Sequence, residues 1–173
     1  MDANVTLTHA TRCRRRLLVL LLAALVSPAP PAADTTTGPA PGPRDVCPVC
    51  GMFVTRYPEW TATLVHADGH TVHFDGAKDL FKYRLDLDRY AAGRAAPERL
   101  LVTEYYGLAR IDARGAWYVI GSDVLGPMGH ELIPFSSRAE AEEFSRDHKG
   151  KGVLRYEEID RSRVESVDLG RFE

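Results

Sequence analysis

Two thiols and one thioether lie within six residues of this chain, in the stretch 47–52 with the sequence CPVCGM. Thiolate and thioether sulfurs are soft donors, which favour Cu(I), zinc or iron–sulfur iron over hard cations. Beyond residue 46 the chain has no other cysteine, and its one further methionine is Met128. A reactive or metal-binding centre in this chain is therefore predicted to include this hexapeptide.

The C-x-x-C spacing of Cys47 and Cys50 has several ordinary explanations. A structural zinc site needs four ligands, and no second C-x-x-C pair is present. A thioredoxin-like pair lies at a helix N-terminus, whereas residues 51–54 (GMFV) are typical of a strand. A structural disulfide is compatible with an oxidising compartment. These alternatives stay open on the spacing alone.

Cu(I) binding is the fourth explanation, because Cu(I) accepts two to four donors from cysteine, methionine and histidine. Met52 is adequately explained as a core residue, since methionine often fills gaps in cores. Met128 is not so easily explained, because it lies in a Gly-Pro-Met-Gly loop without apolar periodicity. His130 follows two residues later and is a candidate ligand or a hydrogen-bonding neighbour of one.

Length and composition are those of an ordinary globular protein. The 173 residues, 45% hydrophobic and 27% charged, predict one domain or two small ones. A net charge of -2 gives no support to nucleic-acid binding. No Ser/His/Asp arrangement, paired acids or phosphate-binding loop stands out, so we expect a binding protein and not an enzyme.

The N-terminus has the order of a secretory signal peptide. Arginines at 12 and 14–16 precede an apolar run at 17–26, and small residues follow up to Ala33. A run of this length is too short for a bilayer, which needs about 20 residues. We predict a signal peptide at 1–33 with cleavage near Ala33, export to the periplasm, and no evident lipid anchor. Residues 34–44 are Pro- and Gly-rich and predict a flexible linker.

The remaining chain predicts an α+β fold of two similar ββαβ units that pack together. In the first unit, residues 45–106, strands at 60–67 and 70–74 flank an Asp-Gly turn, and a helix at 77–90 precedes a strand at 99–106. The second unit, residues 107–160, repeats this order, with a GPMGH loop before its helix. Residues 161–173 predict a charged, frayed tail.

Four segments in this order resemble the NosL family. They are CPVCGM at 47–52, YPEW at 57–60, VHFDGAKDLFKY at 72–83 and GPMGHELIPF at 126–135. The resemblance covers nearly all of the chain past residue 45. It implies two similar ββαβ units, in agreement with the fold expected from the pattern of hydrophobic residues.

The resemblance also implies a function. Members of the family are periplasmic accessory proteins that deliver Cu(I) for the copper–sulfide centre of nitrous oxide reductase. It places copper donors at Cys50, Met52 and Met128, with Cys47 and His130 as further candidates. It implies nitrous oxide reductase or its maturation machinery as the partner, and we expect a monomer or a weak dimer. Many relatives carry a lipid-bearing cysteine after the signal peptide, which this sequence lacks.

Two alternatives from other classes remain. A thiol–disulfide oxidoreductase would use Cys47 and Cys50 and would need neither methionine. A non-catalytic adaptor with a structural disulfide would bind no metal after reduction.

Overall fold

The computed structural model describes residues 38–172, so the predicted signal peptide and residues 34–37 lie outside the described residues. The described part of the chain forms two antiparallel sheets and four α-helices. None of these helices is long and apolar enough to cross a membrane. In chain order the elements are β1 (Ala62–His66), β2 (Thr71–Phe74), α1 (Ala77–Leu85), α2 (Leu87–Tyr90), β3 (Pro97–Thr103), β4 (Arg110–Asp112), β5 (Trp117–Ile120), β6 (Ile133–Phe135), α3 (Arg138–Asp147), β7 (Gly152–Arg155) and α4 (Arg161–Asp168).

The two sheets share one topology. The first has the order β2-β1-β3-β4 and the second the order β6-β5-β7, so the first strand of each ββαβ unit is central to its three strands. In both units the strand before the helix ends on a fully buried phenylalanine, Phe74 or Phe135. The predicted α+β fold with two similar units is confirmed.

One core joins the two units. Phe81 of α1 packs edge-on against Tyr118 of β5, with the ring centroids 5.3 Å apart. Leu64 and Leu80 belong to the same buried cluster, as does Leu154 of β7. A smaller cluster lies under α3 and includes Phe135 and Phe144. Because the large core draws on both sheets, neither unit buries it alone.

Two elements differ from the sequence expectation. The predicted helix at 77–90 is interrupted at Asp86, whose backbone leaves the helical region at φ -139° and ψ 59°. Residues 110–112, expected in the second unit, instead extend the first sheet by pairing with β3. The cause is the turn at 104–109, where the Glu104 carboxylate accepts the backbone N–H groups of Tyr106 and Gly107 and the chain folds back on itself.

The start of the described chain also departs from expectation. Residues 38–44 fall in the predicted flexible linker, yet a Cβ at Gly38 would collide with the Leu101 side chain. The Asp45 carboxylate accepts the Gly42 N–H at 2.8 Å. Gly38 therefore lies against β3, where the absence of a side chain permits the close approach, and residues 42–45 form a hydrogen-bonded turn.

The C-terminal stretch is not a frayed tail within the described residues. Asp160 caps α4 by accepting the Arg163 N–H at 2.8 Å. Val164 and Val167 lie on the buried face of that helix and join the large core. The charged residues of this stretch lie on its solvent face, and among them the sequence gives little sign of the two core positions.

We predict that Val167→Ala destabilises the protein by about 2 kcal/mol, because it leaves a cavity at a fully buried position. Urea unfolding followed by circular dichroism measures the loss. Ser162→Ala, an exposed change on the same helix, is the control. Equal stability of the two variants would contradict a structural role for α4.

Candidate metal centre

Residues 46–53, which we call the cysteine loop, are closed by backbone hydrogen bonds. Val46 and Phe53 form a β-bridge, and the Cys47 N–H donates to the Met52 carbonyl at 2.8 Å. Gly51 donates to the Cys47 carbonyl at 2.8 Å with φ +79°, a conformation that favours glycine. These bonds bring both thiols to the same side of a tight turn.

Each thiol faces a carboxylate. Cys47 Sγ donates to Asp79 Oδ2 and Cys50 Sγ donates to Asp75 Oδ1, both at 3.2 Å. The candidate ligand atoms of these four residues all lie within 4.8 Å of one another. Both cysteines are free thiols. The two sulfurs and two carboxylates therefore form one compact group of possible metal donors, which we call the thiol–carboxylate cluster.

The thiol–carboxylate cluster is open on one side. Cys47, Asp75 and Asp79 are at most 2% exposed, whereas Cys50 is partly exposed. Asp75 Oδ2 is buried and has no hydrogen-bond partner among the described residues. A buried carboxylate oxygen without a partner is costly, and a bound cation would satisfy it.

Burial keeps these thiols protonated. It raises the pKa of Cys50 to about 12, with the hydrogen bond to Asp75 acting in the same direction. Burial also raises the pKa of Cys47, and the negative charge of Asp79 adds to that effect. Reactive redox cysteines have lowered pKa values and lie at helix N-termini. Here a short 3₁₀ turn, Val54–Arg56, follows the loop in place of the predicted strand, and no α-helix begins at either cysteine.

The junction of β2 and α1 brings the carboxylates to the thiols. Asp75 directly follows β2, and Asp79 is the third residue of α1, after the N-cap Gly76. In the second unit, Ser137 corresponds to Gly76 and Glu140 corresponds to Asp79. These two residues cap α3 through a reciprocal capping box. In the first unit the N-cap has no side chain, and the carboxylate at the third position contacts Cys47 instead.

Glu131 supplies the missing cap from the other unit. Its Oε1 accepts the N–H of Lys78 at 2.6 Å and that of Leu132 at 2.8 Å. A Cβ at Gly76 would collide with this carboxylate, so only glycine permits the approach. Burial raises the pKa of Glu131 to about 7, although the charge of Lys78 acts to lower it.

The Lys78 side chain holds the second predicted donor segment. Its Nζ donates to the Met128 carbonyl at 3.2 Å and to the His130 carbonyl at 2.6 Å. We call residues 126–131 the methionine loop. Lys78 and Asp79 are adjacent on α1, so one helical turn contacts both the methionine loop and the cysteine loop.

The five predicted donors are placed as follows. Cys47 and Cys50 lie together in the thiol–carboxylate cluster. Met52 closes the cysteine loop and is partly buried. Met128 is 47% exposed at the tip of a turn held by two hydrogen bonds between Gly126 and Gly129. The His130 ring packs edge-on against Phe172, and its buried Nδ1 has no hydrogen-bond partner among residues 38–172.

The hairpin histidines have other partners. His66 is fully buried, with Nδ1 against the Ala95 carbonyl at 2.6 Å and Nε2 against the Tyr83 hydroxyl at 3.1 Å. His73 Nδ1 is 2.8 Å from Thr63 Oγ1. Both rings already have hydrogen bonds within the first unit, which explains them as structural residues.

Sequence reasoning places His73 and Asp75 near the entrance of the helix predicted at 77–90, where they could line a site, and does not single out Asp79. The available signal was the matching spacing of FDGAKD at 74–79 and FSSRAE at 135–140. Glycine stands where the second unit has its capping serine, so the acidic residue three positions later is free for another contact.

We predict slow alkylation of Cys50 in the folded, metal-free protein. A pKa of about 12 leaves little thiolate at pH 8, on the order of 10³-fold less than for an ordinary thiol. The native rate should rise about tenfold per pH unit between pH 7 and 9, because the thiol titrates only above that range. Peptide mapping after iodoacetamide treatment measures the rate, with urea-unfolded protein as the control. Equal native and unfolded rates would contradict the effect of burial.

Comparisons with known proteins identify a family for this chain. The family model NosL matches residues 40–164. The chain is 30% identical over 136 residues to the copper-binding lipoprotein NosL of Stutzerimonas stutzeri, covering 71% of this chain and 66% of that relative, just under two thirds. The crystal structure of the copper chaperone NosL from Shewanella denitrificans superposes with a TM-score of 0.62 and 27% identity, covering 73% of this chain and 97% of that one. The chain described here is a member of the NosL family.

Proposed function

We propose that this chain is an exported Cu(I)-binding chaperone that supplies copper to nitrous oxide reductase or its maturation machinery in the periplasm. The proposed donors are Cys50, Met52 and Met128, with Cys47 and His130 as further donors. Support comes from family membership and from the copper named in both relatives. The single observation that carries the proposal is the first turn of α1, which contacts both donor segments.

Donor chemistry favours Cu(I) as the cargo. A thiolate supplies charge and tight binding, and a thioether remains a neutral sulfur donor at any physiological pH. Cys50 is partly exposed and Met128 is 47% exposed, so an acceptor can approach the donors from solvent. Cu(I) tolerates two to four ligands, which permits transfer through intermediates that share a ligand.

The oxidoreductase alternative is disfavoured by two observations. Burial raises the pKa of both thiols, and neither thiol lies at the start of an α-helix. A disulfide reductase assay separates the two functions, because a reductase requires both cysteines and should be unaffected by Met52→Leu. The adaptor alternative predicts no metal binding by the reduced protein.

We expect Cys50→Ser and Met128→Leu each to weaken Cu(I) binding at least tenfold, which corresponds to about 1.4 kcal/mol. Anaerobic titration against a competing Cu(I) chelator measures the affinity. Leu125→Ala is the matched control, since Leu125 is 56% exposed and lies just before the methionine loop. Wild-type affinity in both donor variants would refute the proposed ligand set.

X-ray absorption at the copper edge tests the donors directly. We expect sulfur-dominated coordination, with one sulfur fewer in Met128→Leu. Coordination dominated by oxygen would instead place the metal between the carboxylates of Asp75 and Asp79. For delivery, a host lacking its own NosL protein should regain copper-loaded nitrous oxide reductase with the wild-type chain and not with Met128→Leu.

A further inference from the structure

The last described residues lie outside the region that matches the family model. That match ends at residue 164, whereas residues 165–172 continue through the end of α4 into a terminal turn. Leu169 N–H donates to the Glu165 carbonyl and Arg171 N–H to the Ser166 carbonyl, and Val167 anchors the stretch in the core. We call residues 165–172 the C-terminal clasp.

Asp168 connects the clasp to α1 through two ion pairs. Its Oδ1 is 3.1 Å from Lys78 Nζ and its Oδ2 is 2.8 Å from Lys82 Nζ. The Lys78 side chain is 2% exposed, and a buried ammonium requires a negative partner. Partial burial acts to raise the pKa of Asp168, but hydrogen bonds from Lys82 and Lys78 outweigh it and lower the pKa.

Lys78 links Asp168 to the methionine loop, because its ammonium contacts both. The same ammonium that pairs with Asp168 donates to the carbonyls on either side of Gly129, those of Met128 and His130. Loss of the Asp168 charge would leave the ammonium without a carboxylate within 4 Å among the described residues. The orientation of the Lys78 ammonium therefore depends on the clasp, and this ammonium, together with Glu131, holds the loop against α1.

Phe172 makes a second, separate contact with the loop. Its ring lies edge-on to His130, with the centroids 5.0 Å apart and the planes at 77°. Gly170 approaches the same imidazole so closely that a Cβ there would be 3.3 Å from the ring. The clasp thus contacts the methionine loop through both a charge and an aromatic ring.

We propose that Asp168 and Phe172 are positioning residues that hold the methionine loop in the geometry for Cu(I) binding. This inference rests on the proposed function, which assigns Cu(I) binding to the methionine loop. The clasp supplies no donor atom itself. It acts through Lys78 and His130, and the region of the chain that matches the family model does not include it.

The first test follows the loop without any metal. Hydrogen–deuterium exchange of residues 126–131 in the metal-free protein should quicken at least fivefold in Asp168→Asn and in Phe172→Ala. Glu165→Gln and Leu169→Ala are the controls, since both residues are exposed within the clasp. Urea unfolding shows whether each variant remains folded. An unchanged exchange rate in folded variants would contradict the positioning role of the clasp.

The second test measures Cu(I) affinity by competition with a chelator. Asp168→Asn and Phe172→Ala should each weaken binding threefold to tenfold, and the controls should bind as the wild type does. In a background that lacks both donors of the loop, Met128→Leu with His130→Ala, these losses should disappear, because the clasp acts through the loop. Additive losses would overturn the positioning role, as would faster exchange with unchanged affinity.

The two proposals fail in different ways. If Met128→Leu binds Cu(I) as the wild type does, the ligand assignment is wrong, whatever the exchange rates show. If Met128→Leu weakens binding and the clasp variants do not, the ligand assignment stands and the positioning role is wrong.

Discussion

The first turn of α1 is the constraint on which the rest of this structure depends. Asp79 accepts a hydrogen bond from Cys47, and the neighbouring Lys78 holds the carbonyls of Met128 and His130. The cysteine loop and the methionine loop, about 76 positions apart in the chain, are thereby both held by a single helix. Donors fixed to a helix keep their relative positions more closely than donors on free loops, which is what a metal site requires.

Comparison of the two ββαβ units shows how this turn became available. The second unit satisfies its helix N-terminus locally, through Ser137 and Glu140. The first unit has Gly76 at that place and receives Glu131 from the methionine loop. The exchange frees Asp79 for Cys47 and joins the two units at the same point. The first unit thus has a tertiary interaction where the second has a local capping interaction, and the candidate centre lies at this point.

The charges around this turn form a continuous chain. Asp79 is 3.3 Å from Lys82, Lys82 and Lys78 share Asp168, and Lys78 reaches the methionine loop. Buried charges are tolerated when they are paired and hydrogen-bonded, and each of these has a partner of opposite sign. The thiol–carboxylate cluster lies at one end of this chain and the methionine loop at the other. C-terminal residues with no evident role in the sequence complete it.

The sequence by itself determined the two-unit α+β fold, because alternating strands, an Asp-Gly turn and the paired phenylalanines are local signals. It also singled out five sulfur- and nitrogen-bearing residues as candidate donors, because cysteine and methionine are scarce in this chain. The contacts of Asp79, Lys78 and the clasp were decided by the tertiary structure. Acidic and basic residues on a helix are usually solvated, and sequence spacing does not show which of them another segment buries. That burial depends on long-range packing of α1 against the methionine loop and α4, which no local pattern encodes.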